Sequence, residues 1–234
     1  MLFKTPLVRG TLLRRYKRFL ADVMLEDGRE VTTHCANSGA MTGLNQPGTT
    51  VWLEPMEGPK RKLGFAWRLV ELDGAGFVGI DASLPNRLVA EALAAKAIPR
   101  LAGYARVRPE VRYGEASRVD FVLSGEGRPD AYLEVKNVHF QRQRGLAEFP
   151  DAATARGARH LRELAAVAAA GHRAAMLYVV QRADCASLRL AADRDPAYAA
   201  ASSAARTAGV EILAHAVRID PTGIWIDREL PFEG

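Results

Sequence analysis

The sequence predicts a two-domain α+β protein: a small N-terminal OB-like β-barrel, then an α/β domain whose mixed sheet is flanked by helices. Three observations carry this. Over residues 7–79, short strand-like segments are separated by turn signals at Asp27-Gly28, Gly39, Gly43, Pro47-Gly48, Gly58-Pro59 and Gly74. Beyond about residue 80, alanine- and leucine-rich helical stretches alternate with strand text, the order of a helix-covered sheet. Residues 174–180 form an unbroken apolar run, as expected of a strand buried on both faces. The boundary falls at about 80–85, dividing the chain into 1–82 and 83–234.

In the first part, Phe19, Ala21, Val23 and Leu25 alternate with Leu20, Asp22 and Met24, the period of a strand with one face on a core. Arg15 and Lys17 extend the Phe19 face of that strand, and Arg14, Tyr16 and Arg18 share the other. Closing such strands into a barrel removes unpaired edges. Barrels of this type bind nucleic acid with basic and aromatic side chains, for which Tyr16, Trp52 and Trp67 are candidates. For the two tryptophans, core packing is the better reading. In the second part, Pro85-Asn86 opens a helix over 87–96 with Leu88, Val89, Ala92 and Leu93 as its apolar stripe. Strand text follows at 107–123 and 131–138. Helices are expected at 151–170, ended by Gly171, and at 196–208, ended by Gly209 before a strand over 210–217.

Composition narrows the partners. The chain has 234 residues, 48% of them hydrophobic, enough to bury one large or two modest cores. Basic residues break every apolar run in the first twenty positions, so no export leader or membrane span is expected and the cytoplasm is the expected compartment. Cys35 and Cys185 form no metal or disulfide pattern and are read as reduced thiols. The net charge of +5 suggests a polyanionic partner, and residues 1–80 hold 11 basic against 8 acidic side chains. The densest clusters there are Arg14, Arg15, Tyr16, Lys17 and Arg18, and Lys60, Arg61 and Lys62. A solvated strand face explains them equally well.

The chemistry concentrates in residues 118–136. The segment Ala131-Tyr132-Leu133-Glu134-Val135-Lys136 alternates strictly, so Glu134 and Lys136 share one face. Gly125-Glu126-Gly127-Arg128-Pro129 suits a turn back to the strand containing Arg118, Val119 and Asp120. A hairpin centred on Gly127 sets Asp120 opposite Glu134 and Arg118 opposite Lys136. Opposed Cβ atoms lie about 4.5–5.5 Å apart, near enough for two carboxylates to share a cation. A hard divalent ion, Mg²⁺ or Mn²⁺, would supply the missing counter-charge and activate water for phosphodiester hydrolysis, with Lys136 stabilising charge on phosphorus. An acid pair relieved by salt bridges to Arg118 and Lys136 fits the spacing as well.

The segments PLVRGTLLRRYKRFLADV, HCANSGAMTGL, SRVDF, EVKNV and FPDAATARGARHL, in this order, resemble the sugar fermentation stimulation protein family of bacteria and archaea. The resemblance spans essentially the whole chain. It implies a DNA-binding protein with an OB-type barrel and a restriction-endonuclease-like domain of the PD-(D/E)xK nuclease type, linked to regulation of maltose use. It carries over to Asp120 and Glu134 as metal carboxylates, Lys136 as the lysine two places on, and Glu91 as a further acid near the metal. Departures are His139, where threonine is expected, Ala36 and Ala40 in place of proline and serine, and Asp81 in place of asparagine.

Other residues are read beside this site. Arg156 and His160, four apart on one helix face, point toward a DNA backbone, and Gly157 permits close approach of DNA or another element. Tyr113 and Arg118 flank the acids. Gln181 lies at a strand's carboxyl end and either orients a phosphate or caps a turn. His34 and Cys35 lack partners for a zinc or nucleophile role, and Asn37, Gly39 and Met41 read as a tight turn approaching a ligand or the other domain.

Three functions follow. The first is a DNA-binding, Mg²⁺- or Mn²⁺-dependent nuclease acting on double-stranded or structured DNA with little sequence preference. The second is a catalytically silent DNA-binding regulator of sugar (maltose) catabolism genes. The third is an enzyme acting on a phosphorylated small molecule. No membrane partner is expected, and the oligomeric state stays open, a homodimer included.

Overall fold

The computed structural model describes residues 1–58, 62–114 and 117–234. Six strands open the chain: β1 (Val8–Tyr16), β2 (Leu20–Leu25), β3 (Glu30–Cys35), β4 (Thr50–Pro55), β5 (Phe65–Leu72) and β6 (Gly76–Gly79). They form one sheet in the order β3-β2-β1-β4-β5-β6, and a parallel pairing of His34 and Cys35 with Ala66 and Trp67 joins β3 to β5. The result is a closed five-stranded barrel with β6 as a sixth edge. Leu12, Val23, Met41, Leu44, Leu53 and Trp67 fill it, all essentially inaccessible to solvent.

The expected continuous strand through Arg14–Arg18 is two strands. β1 stops at Tyr16, and Lys17 (φ 48°) and Arg18 (φ 62°) turn the chain in the left-handed region before β2. No glycine or asparagine announces this turn.

The second part runs α1 (Leu84–Ala94), β7 (Arg106–Tyr113), β8 (Ser117–Ser124), β9 (Ala131–Val138), β10 (Phe140–Gln143), β11 (Leu146–Phe149), α2 (Ala155–Ala169), β12 (Arg173–Val180), β13 (Ser187–Leu190), α3 (Pro196–Thr207), β14 (Glu211–Asp220), β15 (Gly223–Glu229) and β16 (Phe232–Glu233). Its main sheet has the order β15-β14-β12-β9-β8-β7, parallel through β9, β12 and β14 and antiparallel at both ends. The residues expected as one strand over 107–123 are two, β7 and β8, separated around Gly114 (φ 57°). A small sheet, β10-β11-β13-β16, sits beside the main one.

Alternation along the strands sends side chains to two cores. α1 covers one face, with Leu88, Val89 and Leu93 packed near Leu133, Val135 and Leu177. α2 and α3 cover the other, where Leu161, Leu164 and Tyr198 meet Met176, Tyr178 and Val180. β12, central and helix-covered on both faces, therefore reads as an unbroken apolar run. Leu69 of the barrel belongs to the α1-side core, and half-buried Trp52 and Phe77 pack against it, so the barrel wall and the sheet share apolar contact.

Polar links complete the junction. The Gly79 amide donates to the Gln181 carbonyl at 2.9 Å. The Gln181 amide group donates to Asp81 O at 3.1 Å and to Asn137 Oδ1 at 2.6 Å, and Asn37 donates to Ile80 O at 2.8 Å. Gln181 thus ties the barrel to the end of β9. Gly39 fits against Asp151, whose carboxylate would lie 3.1 Å from any Cβ placed there, so the Asn37–Gly39 turn approaches the second domain.

Candidate active site

β8 and β9 pair Phe121, Val122 and Leu123 with Leu133, Tyr132 and Ala131, the register of a hairpin centred on Gly127. The ladder stops there. Asp120 and Glu134 are the next opposed pair, where the strands part, because β9 also runs parallel to β12 along its whole length. The neighbouring strand β7 is irregular at the same point: Glu110 has φ 52°, and the β7–β8 ladder omits Glu110 and Asp120 while keeping its register on both sides. Arg118 does not face Lys136. It pairs with Arg112 on β7, at a stretch of β8 already out of reach of β9.

The side chains occupy the gap so opened. Asp120 accepts from the Val135 amide at 2.7 Å and from Asn86 Nδ2, in the first turn of α1, at 2.6 Å. Glu134 is 3% exposed. Its Oε1 accepts from Lys136 Nζ at 2.6 Å and contacts Nδ1 of His160, which is 2% exposed on α2. Arg156 donates to the other ring nitrogen of His160 at 3.3 Å, so His160 carries its proton on Nδ1, toward Glu134. Glu134 Oε2 is buried with no partner among the described residues.

Buried Tyr113 closes one side, and its hydroxyl also lacks a partner among them. Burial raises the Tyr113 pKa, and the charges of Glu134 and Glu163 add to the rise. Glu163, one turn after His160, accepts from Ser117 Oγ at 2.7 Å.

The two carboxylates are electrostatically unlike. Burial pushes the Asp120 carboxyl above its ordinary value, and the charge of Glu134 pushes it further. Burial would raise Glu134 too, but hydrogen bonds from His160 and Lys136 outweigh it and hold this carboxyl below its usual range. Among the described residues, no three His, Cys, Asp or Glu side chains converge as a ligand set. The donors at hand are two hard carboxylates, a number that suits Mg²⁺, which keeps several waters and takes one or two carboxylates plus phosphate oxygens. The partnerless Glu134 Oε2 fits that role.

Asp120, Glu134 and Lys136 are thus brought together, and two other expected residues are placed differently from expectation. Glu91 pairs with the Met1 ammonium at 2.9 Å and with Arg87, while Asn86 takes the α1 position beside Asp120. His160, expected on a DNA-facing surface, is buried against Glu134. Helical spacing could have revealed this, since Gly157, His160, Leu161 and Leu164 form the buried stripe of α2. Asn86 gave no comparable signal.

Of the basic candidates, Arg14 pairs with Asp22 at 2.8 Å, and Tyr16 donates to the same carboxylate at 3.0 Å. Arg15 donates to the carbonyls of Arg18, Asn37 and Gly39. Lys17, Arg18, Lys62, Arg118 and Arg156 are exposed, and Lys60 and Arg61 lie outside the described residues. Trp67 is core, and Trp52 is half-buried and donates to Glu71 at 2.8 Å. Cys35 and Cys185 are buried and unbridged, and exposed His34 stacks on Phe19.

Residues 83–223 match the family model described as "Sugar fermentation stimulation protein RE domain", and residues 13–80 match "SfsA N-terminal OB domain". The chain belongs to the sugar fermentation stimulation protein family. It is 59% identical over 234 residues to a homolog from Jannaschia sp. (strain CCS1), spanning 100% of this chain and 97% of that one. A homolog from Ruegeria pomeroyi is 60% identical over 226 residues, spanning 97% and 98%. The solved structure of Pyrococcus furiosus SfsA in complex with Ca²⁺ is 27% identical, with TM-score 0.87 over 100% of this chain and 98% of that chain. The SfsA fold, an OB barrel followed by a mixed-sheet α/β domain, is therefore shared along the full length. No helix among the described residues is long and apolar enough to cross a membrane.

Proposed function

We propose that this protein binds DNA and hydrolyses its phosphodiester bonds with Mg²⁺ or Mn²⁺ held by Asp120 and Glu134. The observation that carries the reading is the state of Glu134: one oxygen is clamped by Lys136 and His160, and the other is buried, partnerless and beside a second carboxylate. Burying such a pair without a cation is unfavourable. The Ca²⁺ in the similar P. furiosus structure, a hard divalent ion, supports the same view.

When bound, the cation would supply Lewis-acid polarisation of the scissile phosphate and lower the pKa of a water. Asn86 fixes the carboxylate of Asp120, and His160 that of Glu134, so both oxygen sets are oriented before substrate arrives. Lys136, partly open to solvent, places its ammonium where negative charge develops on phosphorus. Arg118 and Arg156, exposed on either side, contact the DNA backbone. The barrel, residues 1–82, adds affinity through Lys17, Arg18, Lys60, Arg61 and Lys62, while residues 83–234 hold the chemistry. Contacts of this type read the backbone and not the bases, giving little sequence preference. Arg14, Arg15 and Tyr16 serve mainly to hold the barrel together, given their partners within it. Two buried, unbridged cysteines suit a reducing cytoplasm.

A second reading is a silent DNA-binding regulator of sugar-catabolic genes, maltose use included. The close Lys136–Glu134 pair favours it, because without a cation it is an ordinary buried salt bridge. Incubation with linear, nicked, branched and single-stranded DNA plus Mn²⁺ or Mg²⁺ separates the two. Chelator-sensitive cleavage of any substrate is the expected result; salt-sensitive binding without cleavage of any of them leaves the regulator.

A further inference from the structure

The tip of the β1–β2 hairpin combines features that the site above does not use. Phe19 is 48% exposed, one of three large apolar side chains so placed among the described residues. It is not loose. Its carbonyl accepts from the Cys35 amide at 2.8 Å, and its ring lies parallel to His34, with planes 9° apart and centroids 6.4 Å apart. Two exposed aromatic rings thus lie parallel at the hairpin tip, offset from one another, with much of Phe19 open to solvent. Beside it stand Lys17 and Arg18, both exposed and in no ion pair among the described residues.

The turn chemistry is unusual for its conformation. Consecutive left-handed residues at a hairpin tip favour Asn, Asp or Gly. Here the two positions, φ 48° and 62°, carry long cationic side chains, which gain nothing from that backbone. Arg15 braces the tip by donating to the Arg18 carbonyl at 2.8 Å and to the Asn37 and Gly39 carbonyls at 2.7 and 3.0 Å. Gly39 in turn lies against Asp151, in the segment that leads into α2, where Arg156 and His160 sit. The tip therefore occupies the side of the barrel that meets the catalytic half.

We propose that Phe19, beside His34 and flanked by Lys17 and Arg18, is a stacking site for an unpaired base of single-stranded DNA. The proposal rests on the DNA reading above and deepens it, naming DNA with a single-stranded segment as the ligand. A rigid aromatic face accepts any base, and two cations beside it neutralise the adjoining phosphates, a combination that gives affinity without sequence readout. A paired base offers no free face, so a blunt duplex leaves Phe19 unused.

The test is fluorescence anisotropy of metal-free protein with a blunt duplex and with the same duplex carrying a single-stranded tail. Wild type is expected to bind the tailed DNA about tenfold more tightly, the range of one base stacked on an aromatic. Phe19→Ala is expected to lose that preference and Phe19→Trp to keep it; the position is half exposed, and thermal melts check that both variants fold. Replacing Lys17 and Arg18 by alanine is expected to flatten the salt dependence on tailed DNA. Equal wild-type affinity for both DNAs, or an undiminished preference in Phe19→Ala, overturns this proposal and leaves the DNA reading standing. Binding to neither DNA overturns both. A wild-type dimer abolished by Phe19→Ala assigns the tip to a second copy of the chain and also overturns it.

Discussion

The amide of Val135 donates to Oδ2 of Asp120 at 2.7 Å, replacing a main-chain bond at the point where β8 and β9 part. A side chain thus supports the end of the sheet ladder. Asp120→Ala leaves that amide without an acceptor in a partly buried place, a loss of about 1–3 kcal/mol. Asp120→Asn keeps an acceptor oxygen and removes the repulsion from Glu134. Both substitutions remove that repulsion and only asparagine keeps the acceptor, so urea denaturation at neutral pH is expected to show Asp120→Ala less stable than Asp120→Asn, which stands at or above wild type. Equal losses in both would remove the bond from the account.

The pKa of Glu134 is held below its ordinary value, so its ionised form stabilises the fold above the unfolded carboxylate pKa near 4.5. That contribution is lost as pH falls through the folded value. Asp120, raised by burial and by Glu134, has the opposite sign: its penalty is present above its folded pKa and absent below the unfolded one. Urea melts of wild type and Glu134→Gln across this range should show a stability gap that is steady near neutrality and closes as pH drops below about 4.5. A gap that widens toward acid contradicts the assignment.

A cation held by Asp120 and Glu134, as proposed, would bind the native state alone and stabilise it by mass action, about 2.7 kcal/mol at a hundredfold excess over its Kd. Thermal melts with Mn²⁺ are expected to shift upward for wild type and not for Glu134→Gln. His160→Ala should weaken Mn²⁺ binding about 10–100-fold, as expected when the group orienting a ligand is removed. Mn²⁺ shifts that are identical in all three proteins would place the ion elsewhere.

Gly157 lies in α2 where a Cβ would approach Tyr198 Cε2 to 2.8 Å and Thr154 Cγ2 to 2.9 Å. Alanine gains about 1 kcal/mol of helix propensity. The clash with an aromatic ring that is itself fully buried outweighs it, by overpacking worth about 1–3 kcal/mol. Gly157→Ala is therefore expected to unfold at lower urea than wild type, whereas a rise in its midpoint would show that α3 can yield.

Much of this was legible in the residues, and the failures have physical causes. The register around Gly127 follows from strand parity and a turn rich in glycine and proline, Gly125 to Pro129. The left-handed Lys17-Arg18 turn was invisible because its residues are the wrong ones for it. The expected contact of Arg118 with Lys136 failed because register alone does not show where strands separate; the irregularity of β7 at Glu110 and the parallel partner β12 decide that. A histidine beside two arginines looks like surface, although the position of His160 on the apolar stripe of α2 is readable from helical spacing. Asn86 meets Asp120 only through tertiary packing, which no local pattern encodes.

Catalysis as proposed requires Lys136 together with the two carboxylates. Cleavage of a branched or tailed DNA in Mn²⁺ by wild type and by Lys136→Ala, each shown to be folded by its thermal melt, tests it most directly. Chelator-sensitive cleavage by wild type is expected, with a loss of about a hundredfold or more in Lys136→Ala, the scale of removing one group that stabilises transition-state charge. Equal cleavage by the two proteins, or none by wild type, contradicts it.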